Sequence, residues 1–375
     1  MRRAASLSAC AATLLAVCLA CMSPGRAAGP PLDAPSFDDG GFAVGTPTPE
    51  ALARYERAAA YSRAHHGLAL LVIEGDAVVF EDAENGYDGR RGHHVWSGAK
   101  AFGCALAMAA VADGKVALEE PVADTLTEWK SDPQKSQITV RQLLDFTSGL
   151  SDASPVLTTD ALRPVQRVPD KAAWALANLR VVSDPGTTFR YLSSHPVMLA
   201  AFLVRRLGED PLGYLQRRVL DPIGFQATGW MRDPAGLPFF SFGAFVTPRS
   251  WARFGVLLRD RGMFRARRIL PEALVDQCFV GSAAMPAFGL GLWLNVPISA
   301  AQRARLPGVL VPNFAPDGPL IMPRGPPDLR VSAGYRDNRL YLIPSQNLVI
   351  VRLGTGDARF VDSELLGRLL PPLTR

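Results

Sequence analysis

Strand-like runs stand at both ends of this chain, and helical ones fill the middle. Toward the N-terminus, Leu68 to Glu74 and Ala77 to Glu81 are apolar runs separated by Gly75-Asp76, a hairpin signal. Toward the C-terminus, Leu329 to Ala333, Arg339 to Ile343 and Leu348 to Leu353 read as strands. Pro344-Ser345-Gln346-Asn347 turns between the last two. Apolar residues at helical spacing predict helices over 49–64, 97–112, 138–146, 172–179, 196–208, 247–261, 271–279 and 357–370. No internal repeat interrupts this order. Distant strands of one chain bury their apolar faces most economically in a shared sheet. The predicted class is therefore α/β: an antiparallel sheet formed from both chain ends, flanked by helices, with a helical insertion.

The first 28 residues are not part of that plan. Met1-Arg2-Arg3 is a basic start, residues 7–20 are apolar, and small residues surround Ala27 and Ala28. That is the pattern of a secretory signal peptide, and the apolar run is short for a membrane span. Leu19-Ala20-Cys21 also resembles a bacterial lipoprotein box, with Cys18 where an aliphatic residue is usual. Membrane association would follow only from lipidation at Cys21. Residues 29–48 are rich in Pro, Gly and Asp and read as a linker, which leaves 49–375 as the folded domain. The expected location is periplasmic or secreted.

Charge and cysteine content narrow the function. Without Arg2, Arg3 and Arg26 the formal charge falls from +5 to +2, and no basic block remains. That excludes a nucleic-acid footprint. Three of the five cysteines precede residue 29, so only Cys104 and Cys278 belong to the domain. Two cysteines make no disulfide framework. Cys104 reads as a buried free thiol, and a Cys104–Cys278 bridge is the alternative in an oxidising compartment. The five histidines form no H-E-x-x-H pattern, so neither a metal nor any other cofactor is expected. No G-x-S-x-G elbow or phosphate loop occurs.

Three short motifs carry chemistry. Ser97-Gly98-Ala99-Lys100 opens an apolar helix, and serine and lysine three residues apart share one helix face. An amine of lowered pKa there could take the serine proton. First-turn backbone N–H groups could hold an oxyanion. Taken alone, the pattern also suits a capping serine and a solvated lysine. Tyr191-Leu192-Ser193 follows a Pro185-Gly186 turn. A tyrosine near an ammonium loses its proton more readily and can act as a base. The plainer alternative is a tyrosine packed at a helix entry. His195 reads as a loop or cap residue, and Trp96, Trp251 and Trp293 as core or pocket wall. Ser332-Ala333-Gly334-Tyr335 places a glycine in a strand, a mark of close approach by backbone or ligand. Beside Ser97, the Tyr335 N–H would complete an oxyanion hole.

Taken in order, Ser97-x-x-Lys100, Tyr191-x-Ser193 and Ser332-Ala333-Gly334 resemble the S-x-x-K, Y-x-N and K-T-G motifs of penicillin-recognising serine enzymes. Leu143 to Leu150 resembles that group's L-L-x-x-T-S-G-L, and Thr228-Gly229-Trp230 and Arg268-Ile269-Leu270-Pro271 are similar to its connecting segments. The likeness covers about 50–370. It is nearest to class C β-lactamases in the broad sense, with family VIII esterases, D-aminopeptidases, DD-peptidases and 6-aminohexanoate-dimer hydrolases. It implies a β-lactamase/transpeptidase-like fold. It also implies catalysis by Ser97, Lys100 and Tyr191, and an oxyanion and substrate site at Tyr335, Gly334, Ser193 and Ser332.

Two departures matter. Ser193 replaces the asparagine, and Ser332 replaces the lysine that anchors a substrate carboxylate, unless Arg336 or Arg339 takes over. The expectation is a secreted serine hydrolase that forms an acyl-enzyme with an ester, small amide or peptide. β-Lactamase or D-Ala-type peptidase action is one alternative. A non-catalytic ligand-binding protein on the same fold is the other.

Overall fold

The computed structural model describes residues 41–160, 162, 168–304, 306 and 321–372. The expected signal peptide, Cys21, most of the linker and residues 307–320 lie outside them. The main sheet has seven strands: β1 (Ala43–Val44), β2 (Gly67–Glu74), β3 (Ala77–Ala83), β4 (Trp293–Leu294), β5 (Arg330–Gly334), β6 (Asn338–Ile343) and β7 (Leu348–Gly354). Their order is β1-β3-β2-β7-β6-β5-β4. The chain ends meet at the β2–β7 pair, where Leu71 faces Val351. Every neighbouring pair is antiparallel except β1–β3, where Ala43 pairs parallel with Ala77. Residues read as linker thus supply an edge strand, and the sheet is antiparallel but for that edge.

Period-two alternation sends successive side chains to opposite faces. Leu71 and Ile73 join Leu340, Leu342, Val349 and Val351 in one core with Trp251. Leu70 and Val72 join Tyr341, Ile343 and Ile350 in the other, with Ala58, Ala59, Leu365 and Leu366. Helices α1 (Pro49–Ala64), α2 (Lys100–Ala112), α3 (Ser194–Leu207), α4 (Pro248–Arg259) and α5 (Asp362–Leu369) supply the partners. α1 and α5 cover the second core. Thr48 caps α1 through the Ala51 N–H, with Pro49 in its first turn. α4 covers the first core and is capped by Thr247. A methyl group on Gly255 of α4 would lie 2.6 Å from Val349 Cγ1, so only glycine lets the helix seat on β6 and β7.

α2 is buried along nearly its whole length. Cys104 on it forms a disulfide with Cys278, just beyond the helix Glu272–Gln277. This corrects the reading of Cys104 as a free thiol. Both cysteines are fully buried, and only the fold brings together residues 174 apart in sequence.

Candidate active site

Ser97 sits in a 3-10 turn, Trp96–Ala99, that feeds directly into α2. The turn hangs from a three-stranded sheet of His93–His94, Ala244–Val246 and Ala227–Trp230. The Val95 N–H donates to Ala244 O at 3.1 Å. Trp96 then takes φ +51°, a conformation L-residues adopt at a cost. His94 packs on Trp96 at 4.1 Å and holds it there. Gly98 is required, since its Cβ would stand 2.7 Å from the Trp251 ring.

The capping alternative for Ser-x-x-Lys does not hold. Ser97 lies inside the turn and is the N-cap residue neither of the turn, which is Val95, nor of α2, which is Ala99. Lys100 is only 7% exposed, and its Nζ donates to Ser97 Oγ at 3.0 Å and to Ser241 O at 2.7 Å. Among the described residues no carboxylate pairs with it. Burial alone therefore pulls its pKa down to about 7. Near neutrality much of Lys100 is a free amine. The Ser241 carbonyl takes one N–H, leaving the lone pair free to face the serine hydroxyl.

Tyr191 comes to the same place. Its ring lies 4.8 Å from Lys100 Nζ and packs against Trp293, Phe146 and Phe288 at 5.5, 5.5 and 5.8 Å. The expected fall in its pKa is reversed. Burial raises it well above 10, and the nearby Ser97 hydroxyl and the Arg339 charge offset only part of that. The phenol holds its proton, because the lysine sits over the ring face in a dry setting.

β5 runs against the nucleophile turn, as the glycine in Ser-Ala-Gly suggests. A Cβ on Gly334 would lie 1.9 Å from Val95 O. Tyr335, the next residue, is 40% exposed and meets Trp96 edge-on at 5.4 Å. Ser332 is buried, and its hydroxyl donates to Gly98 O at 2.9 Å. It latches the strand to the turn and does not face solvent. A Ser332→Ala protein should lose about 0.5–1.5 kcal/mol of stability, read as a small drop in denaturation midpoint. Ser193 Oγ accepts a hydrogen bond from Thr158 Oγ1 at 2.7 Å. Arg339 is committed to Asp362 at 2.8 Å and Gly334 O at 2.9 Å, so it cannot anchor a substrate. Arg336 lies over the Trp96 ring at 5.8 Å.

The structure thus gathers Ser97, Lys100, Tyr191, Gly334 and Ser332 around one turn. Sequence reasoning missed Ser241, which acts through its backbone carbonyl and leaves no side-chain signal. It also missed the aromatic wall of Phe146 and Phe288 around Tyr191. Among the described residues, no group of three or more His, Cys, Asp or Glu could hold a metal ion.

Comparison with known proteins follows the same lines. The Beta-lactamase family model matches residues 52–367. Among solved structures, a candidate 6-aminohexanoate-dimer hydrolase from Bacillus anthracis superimposes with a TM-score of 0.69 at 17% identity, over 88% of this chain and 85% of that one. EstCE1, a hydrolase with promiscuous acyltransferase activity, gives 0.64 at 17% identity, over 85% and 97%. A penicillin-binding protein homologue from Caulobacter crescentus gives 0.61 at 15%, over 87% and 97%. No curated protein matches.

Proposed function

Because the chain belongs to the Beta-lactamase family, whose members are serine hydrolases, we propose that it is a secreted hydrolase forming an acyl-enzyme at Ser97 with an ester or small amide. The observation that carries this reading is the buried Lys100 amine, 3.0 Å from Ser97 Oγ and half neutral at about pH 7.

In acylation, Lys100 takes the Ser97 proton as Oγ attacks the substrate carbonyl carbon. The oxyanion is held by the N–H groups of Ser97 and Tyr335. As the tetrahedral intermediate collapses, Tyr191 gives its proton to the leaving oxygen or nitrogen. The Lys100 ammonium then returns a proton to the Tyr191 phenolate. In deacylation, water gives a proton to Lys100 and attacks the acyl carbon. Ser97 Oγ leaves and recovers that proton. The raised pKa of Tyr191 suits the donor step, and the lowered pKa of Lys100 suits the acceptor step.

Ser332 in the place of the family's anchoring lysine, with its hydroxyl spent on Gly98 O, favours substrates recognised without a carboxylate. Esters and small amides therefore rank above peptides, and peptides above β-lactams. Export is supported by the N-terminal pattern and by the Cys104–Cys278 bridge.

The test is intact-mass spectrometry after treatment with a fluorophosphonate. The protein should take one label per chain, and Ser97→Ala none. A folded wild-type protein that takes no label would instead favour a ligand-binding protein on this fold.

A further inference from the structure

Beneath Tyr191 lies a polar cluster that the proposed chemistry does not use. His195, in the first turn of α3, is fully buried. One ring nitrogen, Nε2, lies 3.0 Å from Arg190 O. That carbonyl only accepts, so Nε2 carries the proton. The other nitrogen, Nδ1, must then accept, and Ser148 Oγ stands 2.9 Å from it. Ser148 is fully buried too, and its oxygen receives the Leu150 N–H at 3.4 Å.

The cluster closes on itself. The Arg190 N–H donates to Phe146 O at 3.0 Å, so both backbone polar groups of Arg190 are held. The His195 ring stacks on Phe146 at 4.8 Å and 14°, and Phe146 packs on Tyr191 at 5.5 Å. Phe146 adopts φ +63°, which the surrounding contacts must maintain. Burial drives the His195 pKa down to about 3, so the ring stays neutral and its proton stays on Nε2.

We propose that His195 is a positioning residue: with Ser148 and Phe146 it clamps the Arg190 carbonyl and so fixes the Tyr191 phenol against Ser97 and Lys100. The imidazole touches no reacting atom. It supplies a donor and an acceptor at opposite edges of one flat ring, and the ring face supplies the stack. Phenylalanine keeps the stack and loses both hydrogen bonds. Glutamine keeps a donor and an acceptor and loses the stack.

The inference rests on the acyl-enzyme reading, and the experiment separates the two. Steady-state hydrolysis of ethyl acetate, whose alkoxide must take a proton as it leaves, would be measured for wild type, His195→Phe, His195→Gln, Ser148→Ala and Tyr191→Phe, and for His195→Phe combined with Tyr191→Phe. His195→Phe is expected to lower kcat about 10- to 100-fold with KM little changed, because a misplaced group costs rate more than binding. In the Tyr191→Phe background the same change should cost almost nothing, since the phenol it positions is gone. His195→Gln should recover part of the rate. An equal loss in both backgrounds would overturn the proposal, as would an unchanged kcat. If His195→Phe does not fold, Ser148→Ala decides in the same two backgrounds. A folded wild-type protein that takes no fluorophosphonate label at Ser97 would refute the acyl-enzyme reading itself.

Discussion

A Lys100→Met protein is expected to acylate Ser97 about 10²- to 10⁴-fold more slowly than the parent, the usual contribution of a positioned base. Methionine keeps the length and the helix preference of lysine and removes only the amine. The pH profile carries the sharper test. Lys100 must be neutral to accept the serine proton, and burial sets its pKa at about 7. The wild-type acylation rate should therefore rise with pH, about tenfold per unit below 7, and level off above it. In Lys100→Met that rise should vanish. Glu84 is raised to about 7 as well, by burial beside Ser62, so it must be ruled out as the source. Glu84→Gln should leave the rise in place. Fold and activity also move in opposite directions. The unfolded lysine binds a proton up to its ordinary value, whereas the folded one gives it up near 7. The penalty on the fold grows as pH falls from about 10 to 7 and stays constant below. Removing the amine removes that penalty, so the Lys100→Met melting temperature at pH 7 should hold or rise while activity collapses. A parallel fall in both would count against Lys100 as the base.

What could be read from the sequence followed the range of each interaction. The hairpin of β2 and β3 and the strands β5 to β7 were legible because alternation and turn residues are local. The Ser97–Lys100 pair was legible because three residues on a helix is one face. Gly334 signalled a close approach, and the approach proved to be to Val95 O. The rest depends on partners far apart in the chain. Ser241 lies 141 residues from Lys100 and contributes a carbonyl that any residue would offer. Cys104 and Cys278 have no spacing that distinguishes a bridge from two thiols. His195 looked like a loop or cap residue because Ser148 and Phe146 are neighbours only in space. The Tyr191 pKa went the wrong way because motif order gives proximity to Lys100 but not dryness, and in this site dryness outweighs charge. β1 was missed because two residues at a sheet edge carry no period.

The largest expected effect on stability comes from the Cys104–Cys278 bridge. It closes a loop of 174 residues, and a cross-link of that span restricts the unfolded chain by on the order of 5 kcal/mol. Cys104→Ala with Cys278→Ala should lower the melting temperature by on the order of 10 °C at neutral pH. Its effect on chemistry should be small. Neither sulfur touches Ser97, Lys100 or Tyr191, so the double variant should keep most of its acylation rate at 25 °C and lose it at a lower temperature than the parent. The position of the bridge explains why temperature exposes it. Cys104 lies one turn beyond Lys100 on α2, and Cys278 O accepts the Leu290 N–H at 3.0 Å. Gly291, at φ +92°, packs so close to α2 that a Cβ would lie 2.7 Å from Lys100 O. The same stretch continues into Phe288 and Trp293, which wall Tyr191. The disulfide therefore staples the helix bearing the base to the segment bearing the wall around the acid. Thiol titration of the denatured, unreduced chain from residue 29 onward should find no free thiol, and two after reduction. Two thiols before reduction would remove the bridge, and with it the predicted difference in melting temperature.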